Sequence, residues 1–329
     1  MISYIYDRKV LVPALIGAGV SIFLAISGLF SLLFLVPLGF LAYRYDYRTA
    51  WTGFAFIVIG NILLNFGILN RDISNFLFYI AMAGIFTWIV SPPPASNQVP
   101  MSIRLSFGSC LGALLLIFIM GRVISTPFFL DYMDSMLNNF LLSNTGANVV
   151  QNALLQSITV EEILDAIMSI MVRGGSLISC ILLFTLCRQL GYFLARIILR
   201  RKKIDISPSS LIQFHASSIL IWVLSISLLL LVLSRLINFK LIEIILWNIL
   251  ILCVILYLAQ GIGILQFFLS KPSTPPFMGI LFMILFVFLI VSPVLNLVLL
   301  VGLTILGITE NWVPFRAPKI NGPPTTPQA

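Results

Sequence analysis

The chain is short of charge. Of its 329 residues only 19 are Lys or Arg and 11 are Asp or Glu. A soluble domain carries charge on about a quarter of its residues, so an ordinary solvated surface is excluded. Histidine occurs once, as His215, and cysteine four times, as Cys110, Cys180, Cys187 and Cys253. The cysteines form no CxxC pair and match no zinc or haem spacing, so they read as small apolar fillers, and no metal site is expected. A lone histidine near the start of an apolar stretch reads as a helix-end or packing residue. No phosphate-binding P-loop, HExxH or GxSxG motif is present, and no base stands beside a nucleophile. Neither a cofactor nor an enzymatic activity is expected. No apolar stretch holds an Asp or Glu near its centre, Glu243 lying at an end. That removes the carboxylate that proton- or sodium-driven carriers keep inside the bilayer.

Apolar residues are what the chain has in abundance. They make up 60 % of it, and the mean hydropathy is +1.10. Apolar stretches cover about 10–27, 30–43, 51–69, 74–90, 103–121, 174–198, 210–236, 242–270 and 277–307, with nearly all charges between them. At about 20 residues per span, the reading is an all-α polytopic membrane protein with about 8–10 transmembrane segments in a lipid bilayer. One integral membrane domain is expected over 1–316, with a Pro-rich, disordered tail over 317–329. Two stretches are ambiguous. Residues 10–43, with Gly28 as a break, and residues 277–307, interrupted by Pro293, can each be one kinked helix or a hairpin of two short segments.

Basic residues set the orientation. With both ambiguous stretches as hairpins, segments on the N-terminal side of the membrane carry a net +10 and those on the other side a net −2. The run Arg200, Arg201, Lys202 and Lys203 dominates, which predicts a bacterial cytoplasmic membrane protein with its N-terminus in the cytoplasm. These basic residues flank spans and no exposed basic domain exists, so nucleic acid is not an expected partner. Residues 122–173 read as an extracytoplasmic pair of amphipathic helices. Thr126-Pro127 starts the first, with Phe129, Met133, Met136 and Phe140 on one face. Thr159-Val-Glu-Glu162 is a capping box for the second. Together they form either a lid over a cavity or a connector covering helix ends.

Several positions stand out within the spans. Gly53, Gly60 and Gly67 recur every seven residues and give one face on which a neighbouring backbone can approach. Gly108 and Gly112 form a GxxxG. Asn61, Asn65 and Gln260 are amides that need partners in hydrocarbon: either a bound solute, for which they would be the polar lining, or another helix. Gln260 is followed by Gly261 and Gly263, which leave room beside it. Arg188, Tyr192 and Arg196 share a face, and Arg188 is expected to snorkel to the interface.

Two C-terminal patterns carry a resemblance. Tyr257-x-x-Gln260-Gly261 is followed by a basic residue at Lys271. Leu306-Gly307-Ile-Thr-Glu310-Asn-Trp312-Val-Pro-Phe315-Arg316 closes the last apolar stretch, with Val313-Pro314 where a second acid is usual. In these the chain resembles the YybS-like family of uncharacterised bacterial membrane proteins. The short apolar hairpin with Val36-Pro37-Leu38 and the basic turn at Arg44 is also similar to the membrane substrate-binding components of energy-coupling-factor transporters. Two functions follow as expectations. The first is a solute-binding or transport component that takes its energy from a partner module. The second is a non-transporting scaffold or regulator of other membrane proteins.

Overall fold

The computed structural model describes residues 8–27, 31–64, 73–91, 99–124, 126–143, 159–199, 214–237, 240–269 and 293–316. Asn65, Gly67, the run 200–203 and the tail 317–329 lie outside them. The described residues are helical and contain no strand. Four helices are long and apolar enough to cross a membrane, Lys9–Ile26, Met101–Ile124, Val160–Ile198 and Lys240–Leu269, and shorter apolar helices accompany them. This is an all-α polytopic membrane protein. Two compact units, Met1–Asp205 and Ile206–Ala329, give a finer division than the single domain expected over 1–316.

Unit 1 contains α1 (Arg8–Ile26), a 3-10 turn (Ser31–Leu33), α2 (Val36–Arg44), α3 (Tyr47–Leu64), α4 (Ile73–Val90), α5 (Met101–Ile124), α6 (Pro127–Ser143), α7 (Val160–Ile170) and α8 (Ser176–Leu199). The stretch 10–43 is a hairpin. A methyl placed on Gly53 would meet Leu41 and Ala14, and one on Gly60 would meet Ile22, so α1 and α3 run parallel and α2 returns the chain between them. Pro37 sits in the first turn of α2, where its missing N–H costs nothing. The nine residues of α2 reach only about 13 Å, less than half of a ~30 Å hydrocarbon core. So short an element is tolerated there because α1, α3, α4 and α8 surround it. Leu35, Leu38 and Leu41 are accordingly sealed from contact with the surroundings.

Close glycine approaches fix the rest of unit 1. Gly108 packs on Ile85 and Ile89 of α4, and Gly112 packs among Met82, Cys180 and Phe184. One backbone-to-backbone crossing in unit 1 is marked by no sequence motif. A Cβ on Gly191 of α8 would lie 2.8 Å from the backbone of Gly39 and Phe40 in α2. Beside that crossing the Arg188 Nε donates to the Tyr43 hydroxyl at 2.7 Å, and Tyr192 stacks edge-on against Tyr43 at 5.6 Å. Arg188, expected to snorkel, therefore has a partner within the unit. The orphan carbonyls ending α4 are also bonded. Buried Arg104 donates to Ile89 O at 2.9 Å, and Trp51 donates to Ser91 O at 2.9 Å.

Of the two helix starts expected over 122–173, both are present, but the Thr126 hydroxyl donates back to Val123 O at 2.6 Å rather than capping the helix that follows. α6 begins at Pro127, with Thr126 O accepting from Phe129 and Leu130 N–H. Thr159 and Glu162 bond reciprocally at 3.2 and 3.3 Å and start α7. On α7 Val160 and Leu164 are buried and Glu161, Glu162 and Asp165 exposed. On α6 Met136 is exposed and Phe129 and Met133 are half-buried. α7 continues into α8 through a wide turn at Met171–Gly175, broken at Gly174 with φ 136°, a conformation glycine adopts without penalty.

Unit 2 contains α9 (Ile219–Ile237), α10 (Lys240–Leu269) and α11 (Pro293–Thr309). α10 and α11 meet carbonyl to glycine: a Cβ on Gly261 would overlap the Leu303 carbonyl, and one on Gly307 the Tyr257 carbonyl. The C-terminal ends of the two helices lie together, since Phe268 stacks on Phe315 at 6.5 Å. The N-terminal end of α9 joins them there through Ala216. Of the stretch 277–307, residues 277–292 lie outside the described residues.

Candidate functional site

Glu310 is the first residue beyond α11, and its side chain is 1 % exposed. A buried carboxylate is stable only when paired. The chain supplies the partner locally. A turn over 310–316, held by Asn311, Trp312 and Val313 N–H bonds to the end of α11, folds Arg316 back. The Arg316 Nε donates to Glu310 Oε1 at 2.6 Å, and Nη2 donates to Oε2. This is a bidentate, charge-assisted pair, the stronger class of hydrogen bond. Nη2 also donates to Phe214 O at 2.9 Å and lies 3.0 Å from His215 Nδ1. His215 Nδ1 is 3.5 Å from Glu310 Oε2, and its side chain is 63 % exposed.

Gln260 completes the network from α10. Its Nε2 donates to Glu310 Oε2 at 2.9 Å, and its Oε1 accepts from Ala216 N at 2.9 Å. Burial pushes the Glu310 carboxyl up. The hydrogen bonds from Arg316 and Gln260, with the nearby positive charge, outweigh that and hold it below its ordinary value of 4.5. The group is therefore a carboxylate at neutral pH. One turn earlier on α10, Tyr257 is fully buried. Asn311 approaches its hydroxyl, but no bond of acceptable geometry joins them.

Of the three amides singled out from sequence, Gln260 belongs to unit 2 and Asn61 to unit 1. Gln260 is 1 % exposed and bonded at both ends of its amide. Asn61 is in unit 1, where Nδ2 donates to the Ile57 carbonyl of its own helix at 2.9 Å. Asn65 lies outside the described residues. Gly53, Gly60, Gly108 and Gly112 all face neighbouring side chains within unit 1. Sequence reasoning on polar lining missed Glu310, Arg316 and His215. The signal that could have found them was the Glu310-to-Arg316 spacing just past the last apolar stretch, where a carboxylate needs a nearby cation.

A cavity of about 600 Å³ lies in unit 1, between α1, α2 and α8, and its walls are apolar. None of Asn61, Gln260 or Glu310 lines it. It is a groove in hydrocarbon rather than a polar solute chamber.

The family described as "Predicted membrane protein (DUF2232)" matches residues 14–304. No curated protein and no solved structure matches the chain.

Proposed function

The chain belongs to the DUF2232 family of predicted membrane proteins, and we propose that it works there as a non-catalytic scaffold or regulatory partner of other membrane proteins. The observation that carries this reading is the closure of the Gln260 amide. A solute site keeps a few polar groups free to orient its ligand, whereas both ends of this amide are bonded to Ala216 and Glu310. Asn61 likewise bonds its own helix. The polar groups act as internal fastening, and the faces left for recognition are apolar. We place the protein in a bacterial cytoplasmic membrane with its N-terminus in the cytoplasm, since that arrangement puts the basic run 200–203 inside.

Cross-linking in native membranes followed by quantitative mass spectrometry tests this. The scaffold reading expects a particular membrane protein recovered in fixed ratio with this chain, and altered abundance of that protein when the chain is deleted. Saturable uptake or binding of a polar solute by the purified protein, abolished by Gln260→Leu, would overturn it.

A further inference from the structure

We propose that the apolar groove of unit 1 holds one acyl chain of an anionic glycerophospholipid, its phosphate at the Arg44 end. The groove exists because α2 keeps α1 and α8 apart while reaching less far than either. Val36 and Phe40 of α2 form its floor. Ile16 and Val20 of α1 form one wall, and Phe193 and Leu194 of α8 form the other. Along α1 it runs from Pro13 to Leu24, about 16 Å at helical rise. That is about half of the ~30 Å hydrocarbon core, the depth occupied by a chain from one leaflet. A volume of about 600 Å³ is in the range of small-molecule sites.

Charge distinguishes the two ends. Tyr45 and Ile198 line the groove at the Pro13 end. Arg44 stands beside them, with its guanidinium carbon 5.6 Å from the Phe40 ring centre and 5.3 Å from that of Tyr45. Both rings line the groove, so the cation sits at its mouth. Arg44 makes no ion pair among the described residues. Lys9 lies one turn before Pro13, on the same helix end. Two negative features face them. Asp46 is the acid at this end among the described residues, and one of its oxygens accepts from Tyr47 N–H. The C-terminus of α2 adds about half a negative charge. The sequence places four basic residues at these helix ends, Arg8, Lys9, Arg44 and Arg48; they outnumber that half charge together with Asp46, and they favour an anionic headgroup over a zwitterionic one. Each such basic residue near a membrane surface favours anionic lipid by about fivefold in affinity.

The test uses the purified full chain in neutral detergent. Native mass spectrometry reads retention of phosphatidylglycerol and of phosphatidylcholine with identical acyl chains. One phosphatidylglycerol per chain is expected, retained about fivefold better than phosphatidylcholine. Arg44→Gln should erase that preference and leave phosphatidylcholine retention unchanged. Val20→Trp, filling the groove from one wall, should lower retention of both lipids by about tenfold or more. Leu194→Trp does the same from the opposite wall and replaces Val20→Trp if that variant melts early. Equal retention of both lipids by the wild type overturns the headgroup assignment. Full retention in both Trp variants overturns the site. A wild-type dimer that both Trp variants turn into monomers also overturns it, since the groove then seats a second copy of the chain.

Discussion

Replacing Gln260 with Leu separates a fastening role from a ligand-binding one. The substitution roughly keeps volume but removes both hydrogen bonds of the amide. Ala216 N–H loses its acceptor and Glu310 Oε2 loses a donor, and each bond is 2.9 Å long. A buried group left unpaired costs about 1–3 kcal/mol, and bonds to charged groups lie at the upper end. Arg316 still holds the carboxylate from two sides, so the second loss is partial. The sum is about 3 kcal/mol. For a chain of 329 residues that lowers Tm by roughly 4 °C. The assay is a thermal melt in detergent, with Thr304→Val as control. Thr304 bonds only its own helix, at Leu300 O, and its loss should cost about 1 kcal/mol or less. A Gln260→Leu melt indistinguishable from that control would refute the reasoning, because it would show the amide contributing nothing to the fold.

Other perturbations follow from the same structure. Gly307→Ala should destabilise by about 2 kcal/mol or more because its Cβ would overlap the Tyr257 carbonyl, a backbone atom that cannot swing away. Gly302→Ala on the same helix has open space at its Cβ and should be neutral or stabilising by up to about 1 kcal/mol; equal melts for the two would refute the crossing. Gly191→Ala should likewise force α8 from α2 and lower Tm more than Gly60→Ala, whose obstruction is the movable tip of Ile22. Glu310 has a folded-state pKa below its unfolded one. Its contribution is therefore fully present above its ordinary value of 4.5 and is lost as pH falls through the lowered folded value. Glu310→Gln should flatten that acid-side fall in melts taken between about pH 5 and pH 3. Single cysteines at Ser207 and Thr159 test orientation: an impermeant reagent on intact cells should label Thr159→Cys and spare Ser207→Cys, and the reverse pattern would invert the topology.

Charge placement made the membrane class and the helical content legible, because a charge in hydrocarbon costs several kcal/mol and so confines itself to loops. The helix start at Pro127 and the capping box at Thr159–Glu162 were legible because helix starts are local chemistry within four residues. Sequence left the stretch 10–43 undecided, since its length allows either one long helix or two short ones. What decided it is the packing of α2 against α1, α3, α4 and α8. The Gly39–Gly191 crossing had no signature because a single glycine on each helix repeats with no period. The heptad of Gly53 and Gly60, by contrast, announced a face. The Glu310 network was hidden for a different reason. Glu310 and Arg316 are near neighbours, but Gln260 is 50 residues away from Glu310, and His215 is 101 away from Arg316. No rule of spacing joins groups so far apart.

The turn from Glu310 to Arg316 sets an order on the making of unit 2. Gln260 and Ala216 leave the ribosome well before the carboxylate they are wired to, and Arg316 follows Glu310 only six residues later. Without that turn, the Gln260 amide keeps Ala216 N–H as a partner among the described residues but has no carboxylate to donate to. A chain stopped at Thr309 would contain the three described helices of the unit but neither Glu310 nor Arg316, and so would lack the ion pair that Gln260 completes.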